Sequence, residues 1–233
     1  VSPDGRIVLT AGCTDKGLSY YLEYDGRLQY HSAPLTMNVG DHLWGGPEER
    51  IRKDVRKSFE APVSFPVPRK YSQSVERYNS MTLVFRDYDV EFRAYDDGVA
   101  YRFVGKADRC EKVYGETSGY RFSEDYESYV LLTKDLQCWY EEDYTISRLS
   151  DLPKDRLTLT PVMVTTENAR LLISESDLHE YSGSYLRAVD GGFDIALSAY
   201  PASQELRERG SKRYVTSRED YIVECGMRRS FPW

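Results

Sequence analysis

Along much of the chain, apolar and polar residues alternate with a period of two, and short Asp-Gly and Gly-rich stretches break the alternation. Leu18, Tyr20, Leu22 and Tyr24 share one face of a predicted strand. Asp25-Gly26 follows, the residue types that best accept the positive φ of a tight hairpin turn. Met81, Leu83 and Phe85 repeat the pattern, as do Val90, Phe92 and Ala94. Asp96-Asp97-Gly98 then turns the chain into Val99, Tyr101 and Phe103. Further on, Leu186 to Val189 reaches Asp190-Gly191-Gly192 and returns through Phe193, Ile195 and Leu197. Antiparallel hairpins at such short spacing predict a sandwich or barrel.

One stretch is ambiguous. Ile51, Val55 and Phe59 fit a helical stripe, yet they also fall on one face of a strand with Lys53 and Lys57 between them. Periodicity does not separate the two; Pro62 and Pro66 close the stretch and favour a strand. Gly40 to Glu49 and Ser150 to Asp155 read as loops, too short to serve as interdomain linkers. With no internal repeat, the expectation is a single all-β domain over residues 1–233. Its strands should form two packed sheets, because a sheet of so many strands needs its apolar face covered.

Size and composition narrow the possible functions. A chain of 233 residues buries roughly 70–75% of its unfolded surface and needs no disulfide to form a core. The formal net charge of -7 argues against a nucleic-acid partner, whose binding needs a basic stripe. No apolar run approaches the roughly 20 residues of a membrane span. Cys13, Cys110, Cys138 and Cys225 lack the close spacing of a zinc site, and their pairing is open. The 20 tyrosines against 8 phenylalanines suit half-buried strands whose rings reach water at one end, and they also suit stacking on sugars.

Several phrases, taken in order, resemble the N-terminal domain of glycoside hydrolase family 97. They begin with Ser2-Pro3-Asp4-Gly5, the Asp25-Gly26 hairpin and Ala33-Pro34-Leu35, which is similar to the family's Ser-Pro-Leu. Arg77 to Met81 resembles the Tyr-Asn-Glu-Leu start of a strand, and Phe92 to Phe103 is the clearest match in the first half. Tyr140-Glu141 with Tyr144, then Thr160-Pro161 ahead of a strand, continue the series. Ile173 to Gly183 looks like Ile-x-Glu-Ala-x-Leu-x-Asp-Tyr-x-Gly, and Pro232-Trp233 looks like the Pro-Trp that leads into the family's catalytic barrel. Ser176 replaces a frequent alanine, and Phe65 to Pro68 stands where the family has Trp-Gly.

The resemblance implies a β-super-sandwich like that of galactose mutarotase. It also implies a (β/α) barrel partner in the same polypeptide that cleaves α-glucosidic or α-galactosidic bonds of an α-linked oligosaccharide. An exported, periplasmic or extracellular bacterial enzyme is implied as well. Glycoside hydrolysis needs two flanking carboxyl groups; in the family these lie on the barrel, so no catalytic residue is assigned here and the chain alone is expected to be inactive.

Glu175 is the candidate site residue. In strand phase it continues the face of Leu171 and Ile173, where a carboxylate is costly unless it is paired or bound to a metal. The residues alone allow solvent exposure or pairing with Arg170 or Arg187; the resemblance implies that Glu175 helps to hold a calcium ion at the active site. Two rival functions use the same scaffold. A mutarotase-like enzyme would need a glutamate base and a histidine acid, and Glu175 with His179 is the available pair. A free-standing carbohydrate-binding module would use Trp44, in a glycine-rich stretch, or Trp139 as a stacking platform.

Overall fold

The computed structural model describes residues 1–67, 70–138, 141–206 and 213–233. It is all-β apart from one 3-10 turn at Leu149–Asp151. The largest sheet runs Ile7–Thr14, Gly17–Tyr24, Arg27–Ser32, Gly119–Arg121, Gly192–Leu197, Ser184–Val189, Leu157–Thr165, Glu127–Thr133 and Thr145–Arg148 in spatial order. Arg170–Ile173 also pairs with Leu157–Thr165. One four-stranded sheet orders Val223–Gly226, Cys110–Thr117, Thr36–Val39 and His42–Trp44; the other orders Lys53–Ser64, Gln73–Val84, Tyr88–Ala94 and Val99–Gly105. Pro201–Leu206 and Arg213–Arg218 form a separate hairpin.

The expected sandwich is present, with its second layer divided between the two four-stranded sheets. One core cluster takes Leu18, Leu22, Val164 and Phe193 from the large sheet, Val39 and Val113 from one small sheet, and Val90, Phe92 and Phe103 from the other. Val104, in the strand Val99–Gly105, forms an isolated bridge with Ser230 in the segment that follows Val223–Gly226. The Gly105 N–H donates to Arg229 O, and the Phe231 N–H to Phe103 O, each at 2.9 Å.

Turn chemistry behaves as the residues demand. Tyr24 pairs with Arg27 around Asp25 and Gly26, whose φ values are 49° and 73°, the left-handed pair of a type I′ turn. The ambiguous stretch is a strand, Lys53–Ser64. It lies at the sheet edge, where Pro62 removes no ladder bond that a neighbour would need. Two expected loops are more structured. Gly40 to Glu49 contains the strand His42–Trp44, and Ser150 to Asp155 begins inside the 3-10 turn. Thr160-Pro161, expected just before a strand, lies within Leu157–Thr165 and has a cis peptide bond. On its N-terminal side that strand pairs with Ser184–Val189, and on its C-terminal side with Arg170–Ile173. All four cysteines are free thiols.

Candidate functional site

The strand Arg170–Ile173 shows clean alternation at its end, with Ile173 7% exposed and Leu172 67%. The chain then leaves the sheet and runs without regular structure to Gly183 before re-entering as Ser184–Val189. Asp177 and Glu180 take positive φ values of 63° and 50° within this loop. Glu175 closes it. The half-buried carboxylate accepts the Ser184 N–H through both oxygens, at 2.9 Å each. Neither Arg170 nor Arg187 forms an ion pair with it among the described residues.

Three further contacts fix the loop. Ser176 and Trp233 exchange backbone hydrogen bonds at 3.0 and 3.2 Å. Arg229 Nη2 donates to His179 O at 2.7 Å. Tyr181 Oη donates to Glu116 Oε2 at 2.9 Å, and its ring meets Phe231 edge-on at 5.7 Å.

Glu175 and Trp233 border a cavity of about 440 Å³, whose wall includes Tyr20, Tyr30, Tyr101, Tyr120 and Glu116. Burial pushes the Glu116 carboxyl up to about 7; the Tyr181 hydrogen bond works against this, and the nearby charge of Glu175 adds to it. Burial also raises the Tyr101, Tyr120 and Tyr181 hydroxyls, so these rings stay neutral and polar-tipped. The arrangement sets the Glu175 carboxylate oxygens against a cavity lined by tyrosines, and oxygen is the ligand atom that hard cations take. Among the described residues, no three His, Cys, Asp or Glu side chains gather to hold a metal on their own.

Glu116 was missed from the sequence, for a physical reason. Val113 pairs with Val39 but Gly115 pairs with Asn38, so a bulge at Tyr114 interrupts the register. The extra residue reverses the side-chain phase, and Glu116 comes to lie opposite the fully buried Met37. Strict alternation from Val113 would have turned it outward.

The sequence profile described as Glycosyl-hydrolase 97 N-terminal matches residues 1–233. The chain belongs to glycoside hydrolase family 97, as its N-terminal domain. A retaining alpha-galactosidase of Bacteroides thetaiotaomicron is 33% identical to this family 97 domain over 246 residues, a match that covers 100% of this chain and 37% of the relative. The family 97 enzyme of Pseudoalteromonas sp. strain K8, solved with acarbose, superposes with a TM-score of 0.79 at 19% identity, over 99% of this chain and 33% of that one. A beta-arabinopyranosidase structure has the same TM-score at 20% identity, over 100% and 38%. These structures establish the fold. The family 97 domain thus spans little more than a third of the curated relative's length.

The other candidate residues of this family 97 domain lie elsewhere. The His179 side chain is 86% exposed and sits 3.3 Å from Asp177, so it is a surface loop histidine and forms no acid–base pair with Glu175. Trp44 is not an exposed platform: it is 4% exposed. The glycines beside it serve close packing, since a Cβ on Gly45 would lie 2.0 Å from Leu35 O. Trp139 lies outside the described residues. Among the described residues, no helix is long and apolar enough to cross a membrane.

Proposed function

We propose that this domain packs on a catalytic (β/α) barrel of the same polypeptide and contributes Glu175 as one calcium ligand at the barrel's active site. The whole enzyme would hydrolyse α-glucosidic or α-galactosidic bonds. One observation carries the reading: the Glu175 carboxylate lines the cavity without a cationic partner among the described residues, next to the Ser176–Trp233 pairing. The curated relative, a retaining alpha-galactosidase with about two-thirds of its length beyond the matched region, supports the substrate class and the larger assembly.

Calcium takes six to eight oxygens, of which Glu175 supplies at most two, so the barrel and water provide the rest. A calcium ion held there would supply Lewis-acid stabilisation of developing negative charge. The part of this chain is to bind and to orient. The Ser184 N–H fixes the Glu175 carboxylate and leaves lone pairs on both oxygens. Acid, base or nucleophile duties belong to carboxylates outside this chain.

In the full-length enzyme, Glu175→Gln should weaken calcium binding at least about tenfold and lower hydrolysis of aryl α-galactosides or α-glucosides, with unfolding by heat little changed. Unaltered calcium affinity in a folded Glu175→Gln enzyme would overturn the reading. So would tight calcium binding by residues 1–233 alone.

A further inference from the structure

We infer that Trp233 is a positioning residue for Glu175, clamped in turn by the guanidinium groups of Arg93 and Arg102. The inference rests on the calcium role proposed for Glu175. The Ser176 N–H belongs to the peptide group that leaves Glu175, and it donates to Trp233 O at 3.2 Å; the Trp233 N–H returns to Ser176 O at 3.0 Å. A loop with no ladder of its own is thereby held at the residue next to the functional carboxylate.

Trp233 can do this because its own position is fixed from another sheet. Its indole lies 4.0 Å from Arg102 Cζ and 4.3 Å from Arg93 Cζ, measured to the ring centroid. Both cations are oriented by one carboxylate: Glu91 Oε1 accepts from Arg93 Nε at 2.9 Å, and Oε2 from Arg102 Nη2 at 2.8 Å. The three side chains are only 17–19% exposed, so the cation–π contacts are partly withdrawn from water, where they are strongest. Arg93 is further seated on Tyr78, with Cζ 4.4 Å from the ring. The neighbouring Phe231 is 1% exposed in the core. A rigid platform on Tyr88–Ala94 and Val99–Gly105 therefore sets the position of a loop some eighty residues away in sequence, through one tryptophan.

The test uses the full-length enzyme and the variants Trp233→Ala, Trp233→Phe, Arg102→Met and Glu175→Gln, with hydrogen exchange over residues 174–184, calcium titration, and kcat and KM measured separately. Trp233→Ala should speed exchange in that segment, weaken calcium about tenfold, and lower kcat more than it raises KM. Arg102→Met, which keeps the ring and the backbone pairing, should do the same to a lesser extent, and Trp233→Phe should recover part of the loss. In the Glu175→Gln background, Trp233→Ala should change calcium affinity little further, because the group it positions is already gone.

Unchanged exchange and affinity in a folded Trp233→Ala enzyme would overturn the proposal, as would full additivity with Glu175→Gln. Should Trp233→Ala fail to fold, Arg102→Met decides by the same criteria. If Glu175→Gln alone leaves calcium binding intact, the calcium reading falls, and exchange over 174–184 decides whether Trp233 positions the loop.

Discussion

Trp44 lies face to face on Tyr88, with ring centroids 4.7 Å apart and planes 10° from parallel, and Phe231 meets its edge at 6.1 Å. Tyr88 continues the stack onto Phe85 at 4.6 Å, and its hydroxyl accepts the Gly45 N–H at 2.6 Å. This aromatic column joins the strand His42–Trp44 to the sheet that carries Tyr88–Ala94. Trp44→Ala should therefore lower stability by about 3–5 kcal/mol, the range for a buried large aromatic, as read from urea unfolding. A loss below about 1 kcal/mol, typical of surface positions, would contradict the assignment.

Two glycines with nearly equal φ should respond differently to the same change. Gly26 has φ of 73° and open space where a Cβ would lie; Gly45 has φ of 71° and backbone 2.0 Å from that point. Gly26→Ala carries only left-handed strain, about 1–2 kcal/mol, partly offset by a stiffer unfolded chain. Gly45→Ala adds a clash with Leu35 that only backbone movement relieves. It should lower the denaturation midpoint well below that of Gly26→Ala.

Glu116 should give the protein a pH-dependent stability of definite sign. Its carboxyl is raised to about 7 in the folded state from an ordinary value of 4.5. The native state thus binds more protons than the unfolded one between these values, and stability falls as pH rises through that window. Glu116→Gln keeps an acceptor for Tyr181 but cannot ionise. Urea midpoints between pH 4.5 and 8 should decline in the parent relative to the variant, and the variant should be the more stable at pH 8.

The strand leading to Glu175 should be asymmetric to truncation. Ile173 is 7% exposed and its neighbour Leu172 is 67% exposed. Ile173→Ala should cost about 2–5 kcal/mol as a core deletion, and Leu172→Ala should stay within about 0.5 kcal/mol. Equal effects in thermal unfolding would mean that the side-chain phase of this strand is misassigned.

The sequence by itself determined the hairpins, because alternation and turn chemistry act between neighbours. Leu18 to Tyr24 needs only a two-residue period to be a half-buried strand, and Asp25-Gly26 needs only its own φ preferences to reverse it. For Glu175 the local pattern gave only a carboxylate beyond an apolar row; its proposed role came from the family resemblance, and its place beside Ser184 depends on a loop that begins after Ile173. What tertiary structure alone decided depends on residues far apart in the chain. The glycines beside Trp44 signalled a loop, yet they exist to let Leu35 and Leu18 approach, and the ring is buried by Tyr88 and Phe231. Glu116 faces the cavity because one extra residue at Tyr114 shifts the register, and no local pattern marks a bulge that the partner strand imposes. Trp233 reaches Ser176, Arg93 and Arg102 only once three segments of the chain have packed together. Local rules fix strands and turns; which face of each strand meets which neighbour is settled by packing across the whole chain.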